Sequence, residues 1–175
     1  MDLKSKLNKL NMHALPDKKK ENLISALYIG FILVLLAVIY FINLHTNLWS
    51  DFNHFLNNFI LATVPGTGVQ LPVPENPAAY LSLYNAAFQF CLGLGITEIL
   101  VLVLRVWLNS PLPRKAETIE NVVFWLGTSY LIVSYLVRAT IPSEWFVFWA
   151  GIILIGGLSL VARSFVLMAT RQNQP

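Results

Sequence analysis

Glu98 is the acidic residue set deepest in an apolar run of this chain, and Arg105 follows it seven positions later, on nearly the same helical face and about 10 Å further along the axis. An ionised carboxylate in apolar surroundings needs a cation, hydrogen-bond donors or water, or else it keeps its proton. Arg163 lies at a comparable depth from the end of another apolar run. The spacing therefore favours a Glu98 to Arg163 pair, with Arg105 as the alternative. Three readings remain open for these residues: a structural interhelical pair with snorkelling arginines, a proton or cation site, or a glutamate that stays protonated in the core. Tyr84, Cys91, Glu98 and Arg105 recur at seven-residue spacing, as do Trp149, Gly156, Arg163 and Thr170, which gives two seams able to face one another.

Other polar residues are sparse. Asn85 and Gln89, one helical turn apart, together with Thr128, Ser129, Ser134 and Tyr135, serve either as the lining of a wet cavity or as interhelical hydrogen-bond glue. His45, Asp51 and His54 fall within ten residues, but their spacing fits no standard metal site. The apolar runs contain neither histidine nor aspartate, so the usual acid-base pairs and activated nucleophiles are not available there. Neither a catalytic residue, a metal nor a cofactor is expected. Cys91 is the single cysteine, which excludes an intrachain disulfide and suits packing better than chemistry.

These residues must be positioned by elements that water alone cannot solvate. Of 175 residues, 56% are hydrophobic and only 12% charged, with a mean hydropathy of +0.62. An ordinary soluble domain carries about twice that charge. The expected fold is an all-α integral membrane bundle of four transmembrane helices, with spans near 23–44, 78–108, 121–140 and 144–169 in a membrane domain covering 23–170. Asn76-Pro77 opens the second span, Ser110-Pro111-Leu112-Pro113 stops it, and the Gly93/Gly95 pair is the expected bend.

Six lysines precede the first span, Arg114 and Lys115 lie between the second and third, and Arg171 follows the fourth. The two opposite loops carry none, so both tails, 1–22 and 171–175, are expected on the cytoplasmic side of a cell membrane. Aromatic residues do not interleave with this basic tail, which argues for lipid rather than nucleic acid as its partner. Within it Leu3, Leu7, Leu10 and Ala14 mark a short amphipathic helix on the inner leaflet.

The outer segment 47–76 carries the strongest amphipathic pattern, read as a helix over 47–62. Trp49, Phe52, Phe55 and Phe59 stand on its apolar face as candidates for interfacial docking. A Gly/Pro-rich loop then returns the chain, its prolines arguing against helix and most sheet. Thr63-Val64-Pro65-Gly66-Thr67-Gly68 occupies the place of a pore loop, but Pro65 and the missing aromatic depart from a selectivity filter.

Gly151, Gly156, Gly157 and Ser159 give the fourth span a small-residue side for close helix packing, within the chain or against another copy. There is also a faint internal repeat. Arg105 and Arg163 sit in similar settings 58 residues apart, Gly93 and Gly151 share that offset, and Glu21-Asn22 matches Glu120-Asn121 at an offset of 99.

Two functions fit these features. The first is a homo-oligomeric channel or transporter subunit for ions or small solutes, with Glu98 in the pathway and Arg105, Arg163, Asn85 and Gln89 as companions. The second is a non-catalytic accessory or scaffold subunit of a larger membrane complex, docking through 47–76. Neutralising Glu98 and deleting the outer segment tell them apart.

Overall fold

The computed structural model describes residues 16–138, 141 and 143–171, so the proposed amphipathic helix of the basic tail lies outside the described residues. The chain is mostly helical. Four helices are long and apolar enough to cross a membrane. Helix α1 (Asp17–Ile42) starts after Pro16, whose carbonyl accepts the Lys19 and Lys20 amides at 2.8 and 3.2 Å. A short helix, α2 (Leu48–Asn57), follows, then strands β1 (Phe59–Thr63) and β2 (Gln70–Pro74). A 3-10 turn over Pro77–Tyr80 leads into α3 (Leu81–Trp107). Helix α4 (Leu112–Leu131) runs on through a π turn at Ile132–Leu136, and α5 (Ser143–Arg171) closes the described chain.

The segment expected to be one amphipathic helix and a loop is a helix and a β-hairpin. α2 ends at Asn57, and Phe59 pairs with Pro74, Leu61 with Pro72 and Thr63 with Gln70. Prolines are tolerated here for a reason of register. Val64 donates to Val69 at 2.9 Å and Glu75 to Asn58 at 3.1 Å, so with a period of two Pro72 and Pro74 fall at pairs that exchange no backbone hydrogen bonds. Gly66, at φ 76°, supplies the left-handed turn residue. The pore-loop stretch is therefore the tip of a hairpin.

The connection between α3 and α4 also differs from expectation. Ser110 donates to Arg105 at 2.9 Å and Asn109 to Val106 at 3.2 Å, with Asn109 at φ 52°, which is a Schellman closure. The prolines that end α3 then begin α4 at Leu112, nine residues before the expected start, because Pro113 sits in a first turn that needs no amide donor. Arg114, Glu117, Thr118 and Glu120 thereby become helical and face neighbours. At the other end α4 passes into the π turn, where Val137 donates to Ile132 at 2.9 Å.

α3 is central, packing on α4 and α1, and α5 packs on the other side of α4. The Gly93/Gly95 pair does not break α3. A Cβ at Gly93 would collide with Leu35 of α1, and one at Gly95 with Leu126 of α4, so the pair admits neighbouring side chains. One core lies at the hairpin end, where Tyr80, Tyr84, Cys91, Leu131 and Phe148 meet Phe55 and Trp145; a smaller one, of Ile24, Val101 and Leu108, lies at the opposite, basic end. The flanks stay apolar and uncovered, from Leu33 and Val34 on α1 to Ile153 and Phe165 on α5.

Candidate functional site

At the basic end α1, α3 and α4 enclose a polar cavity of about 290 Å³, lined by Tyr28, Glu98, Arg105, Arg114, Glu117 and Asn121 among others. α3 brings Glu98 and Arg105 to it from one face, two turns apart. α1 supplies Tyr28, the early start of α4 supplies Arg114 and Glu117, and Asn121 follows on the same helix.

Glu98 is 3% exposed. Its Oε1 accepts a hydrogen bond from Asn121 Nδ2 at 2.9 Å, and the Tyr28 side chain stands beside the same carboxyl. Arg105 points toward the end of the bundle, where it meets Glu21 Oε2 at 3.4 Å, the Arg114 carbonyl at 2.7 Å and the Thr118 hydroxyl. Arg105 Nε and Glu21 Oε1 are buried without a protein partner among the described residues. Arg114 pairs with Glu117 at 3.0 Å, and Arg163 with Glu120 at 2.9 Å.

The favoured Glu98 to Arg163 pair is therefore not formed. α5 packs on the side of α4 away from the cavity, so Arg163 reaches Glu120 first. The alternative, Arg105, shares the cavity with Glu98, but its guanidinium is engaged by Glu21 and α4. Each of the three carboxylates nearby takes an arginine, while Glu98 takes an amide. A buried carboxylate held by a neutral donor beside a polar cavity can bind a cation or exchange a proton without first breaking an ion pair.

The remaining sequence candidates are dispersed. Gln89 accepts from Asn43 Nδ2 at 3.1 Å, tying α3 to the far end of α1, so it acts as glue; half-buried Asn85 lies a turn nearer the hairpin, and neither lines the polar cavity. Phe55 and Phe59 turn toward α5, with Phe55 6.0 Å and Phe59 6.1 Å from the Trp145 ring; both are half-buried, and Phe55 packs against the buried core. Trp49 and Phe52 stay outside, stacked 6.0 Å apart with their planes at 28°. Gly151 packs against Leu131, Ser159 is buried and donates to the Gly156 carbonyl at 2.8 Å, and the space above Gly156 and Gly157 is open.

Asp51 accepts from the Ser82 hydroxyl, and His54 lies 3.1 Å from the Tyr80 hydroxyl. Among the described residues no cluster of three or more histidine, cysteine or acidic side chains could hold a metal. A larger cavity of about 620 Å³ opens between the hairpin and α5, walled by Phe55, Phe59, Trp145 and Trp149 with almost no polar surface. It can hold hydrocarbon but lies at the opposite end from the charged groups.

Sequence reasoning missed Tyr28, Asn121, Glu21, Thr118 and Glu120 as partners. The repeated Glu-Asn at 21–22 and 120–121 was the signal that could have found three of these five. The fold and site together define the class: a chain with four candidate membrane-spanning helices and a polar cavity between three of them. No protein family, curated protein or solved structure matches it.

Proposed function

We propose that this chain is a multi-pass protein of the cell membrane and a channel or transporter subunit for a small cation or proton, with Glu98 as the binding group. The observation that carries the reading is a buried carboxylate on the cavity wall whose hydrogen-bond donor is a neutral amide, while Glu21, Glu117 and Glu120 each pair with an arginine and Arg105, which shares the cavity, is engaged elsewhere. Uncovered apolar flanks support a lipid setting, since exposed hydrocarbon on this scale is otherwise an aggregation surface. Lys18, Lys19, Lys20, Arg105, Arg114, Lys115 and Arg163 gather at the cavity end, which supports placing that end in the cytoplasm.

Flux in proteoliposomes under proton, sodium and potassium gradients tests the proposal, with Glu98→Gln beside the wild type at equal reconstitution. Loss of flux in a variant that keeps its melting behaviour is the expected result. Equal flux in both, or none in the wild type under any of the three gradients, refutes it. A second reading, as a docking subunit, is favoured by the exposed Trp49 and Phe52 stack. It predicts that Trp49→Ala with Phe52→Ala releases a co-purifying membrane protein while Glu98→Gln does not.

A further inference from the structure

The faint sequence repeat has a counterpart in three dimensions. Glu21 of α1 pairs with Arg105 of α3, and Glu120 of α4 pairs with Arg163 of α5. Leu35 of α1 fills the space over Gly93, and Leu131 of α4 fills the space over Gly151. Two helix pairs, α1 with α3 and α4 with α5, are thus held by the same ion pair at matching places and by a leucine over the corresponding glycine, Leu131 standing one turn before the position 99 residues after Leu35, with α2 and the hairpin inserted in the first. Within the chain the pairs are joined by α4 packing on α3. There Asn121 meets Glu98, Leu126 lies over Gly95, and Thr118 meets Arg105.

Repetition makes a specific demand on the two outer helices. α5 corresponds to α3, but among the described residues no helix covers it as α4 covers α3; α1 corresponds to α4, but among the described residues its matching face is likewise uncovered. Shifting the α3 contacts forward by 58 residues lands on Ile153, Gly156 and Arg163, and shifting the α4 contacts back by 99 lands on Lys19, Asn22 and Leu27. Both sets are accessible: Ile153 is 77% exposed, Leu27 is 43% exposed, and Lys19 and Asn22 are exposed. Gly156 and Gly157 have open space where a neighbouring backbone could approach. A cavity of about 440 Å³ beside them, lined by Glu120, Phe124, Gly156 and Ser159, is the counterpart of the polar cavity without its third wall.

We infer that copies of this chain assemble head to tail, with α1 of one copy packed on α5 of the next as α4 packs on α3 within each. The contact is heterologous, so it closes into a ring or continues as an open array according to the angle between repeats. The inference rests on the membrane-spanning reading above but not on transport.

Disulfide cross-linking between two differently tagged forms, co-expressed in a Cys91→Ser background, tests it. One form carries Leu27→Cys and the other Ile153→Cys, and membranes are oxidised with copper phenanthroline. A dimer bearing both tags is expected, several-fold stronger than from Leu27→Cys in both forms or from Leu27→Cys with Leu154→Cys. Adding Gly156→Leu should abolish it without changing the melting temperature. Thiols that react with maleimide but give no mixed dimer above these controls overturn the inference, as does a single-copy mass for the wild type in nanodiscs. Glu98→Gln is expected to leave the cross-link intact, so failure of the transport reading and failure of the assembly are separable.

Discussion

Replacing Asn121 by Leu removes the amide that donates to Glu98 at 2.9 Å and puts a side chain of similar size in its place. Glu98 is 3% exposed, so its carboxyl loses the amide donor at a site largely shielded from bulk solvent. Interhelical hydrogen bonds between neutral groups in membrane proteins average only about 0.6 kcal/mol. A bond to a charged acceptor is worth about 1.5–3 kcal/mol, and an orphaned buried group costs about 1–3 kcal/mol. We therefore expect Asn121→Leu to destabilise the bundle by about 1.5 kcal/mol, close to a tenfold loss in the folded to unfolded ratio. In Glu98→Leu with Asn121→Leu both polar partners are gone, and the double variant should recover most of that loss. The assay is tryptophan fluorescence during SDS titration of the protein in mixed micelles, read as a double-mutant cycle. A coupling below about 0.5 kcal/mol, or a double variant less stable than either single one, would refute the idea that the amide holds the carboxyl.

The three arginine pairs should rank by burial in the same assay. Arg105→Leu, which strands Glu21 in a pair only 12% and 18% exposed, should cost most, about 3 kcal/mol; Arg163→Leu should cost about 1 kcal/mol, and Arg114→Leu less than about 0.5 kcal/mol. Gly95→Val should destabilise by about 1–3 kcal/mol through collision with Leu126, while Gly156→Val, whose Cβ meets nothing within 4 Å among the described residues, should leave the single-copy melting temperature unchanged by differential scanning fluorimetry. Asn109→Ala should cost about 1 kcal/mol at its left-handed φ of 52°, whereas Asn109→Gly should match or exceed the wild type in thermal melts.

The four long helices were legible because hydropathy over about 20 residues is a property of composition and needs no knowledge of neighbours. Boundaries were harder. Leu112 and Pro113 read as a stop, yet the same proline that ends one helix suits the first turn of the next. Phe59, Ile60, Leu61 and Ala62 continue the apolar periodicity of α2, but they form a strand because Asn57 and Asn58 end the helix and β2 supplies partners at Leu71 to Pro74. Helical spacing located Glu98 and Arg105 on one face but not their partners. Which residue reaches a buried carboxylate depends on which side of α4 receives α5, and no spacing within a single helix contains that information.

The hairpin has a consequence for how anything could attach to it. In β2 the backbone positions that turn away from β1 are 70, 72 and 74, and two of them are proline, leaving Gln70 as the one amide in that row. A third strand laid along this margin would find acceptors with almost no donors, so the sheet is limited to two strands on that side. Whatever meets this end of the molecule along β2 must do so through side chains, and a misfolded neighbour cannot zip onto it backbone to backbone.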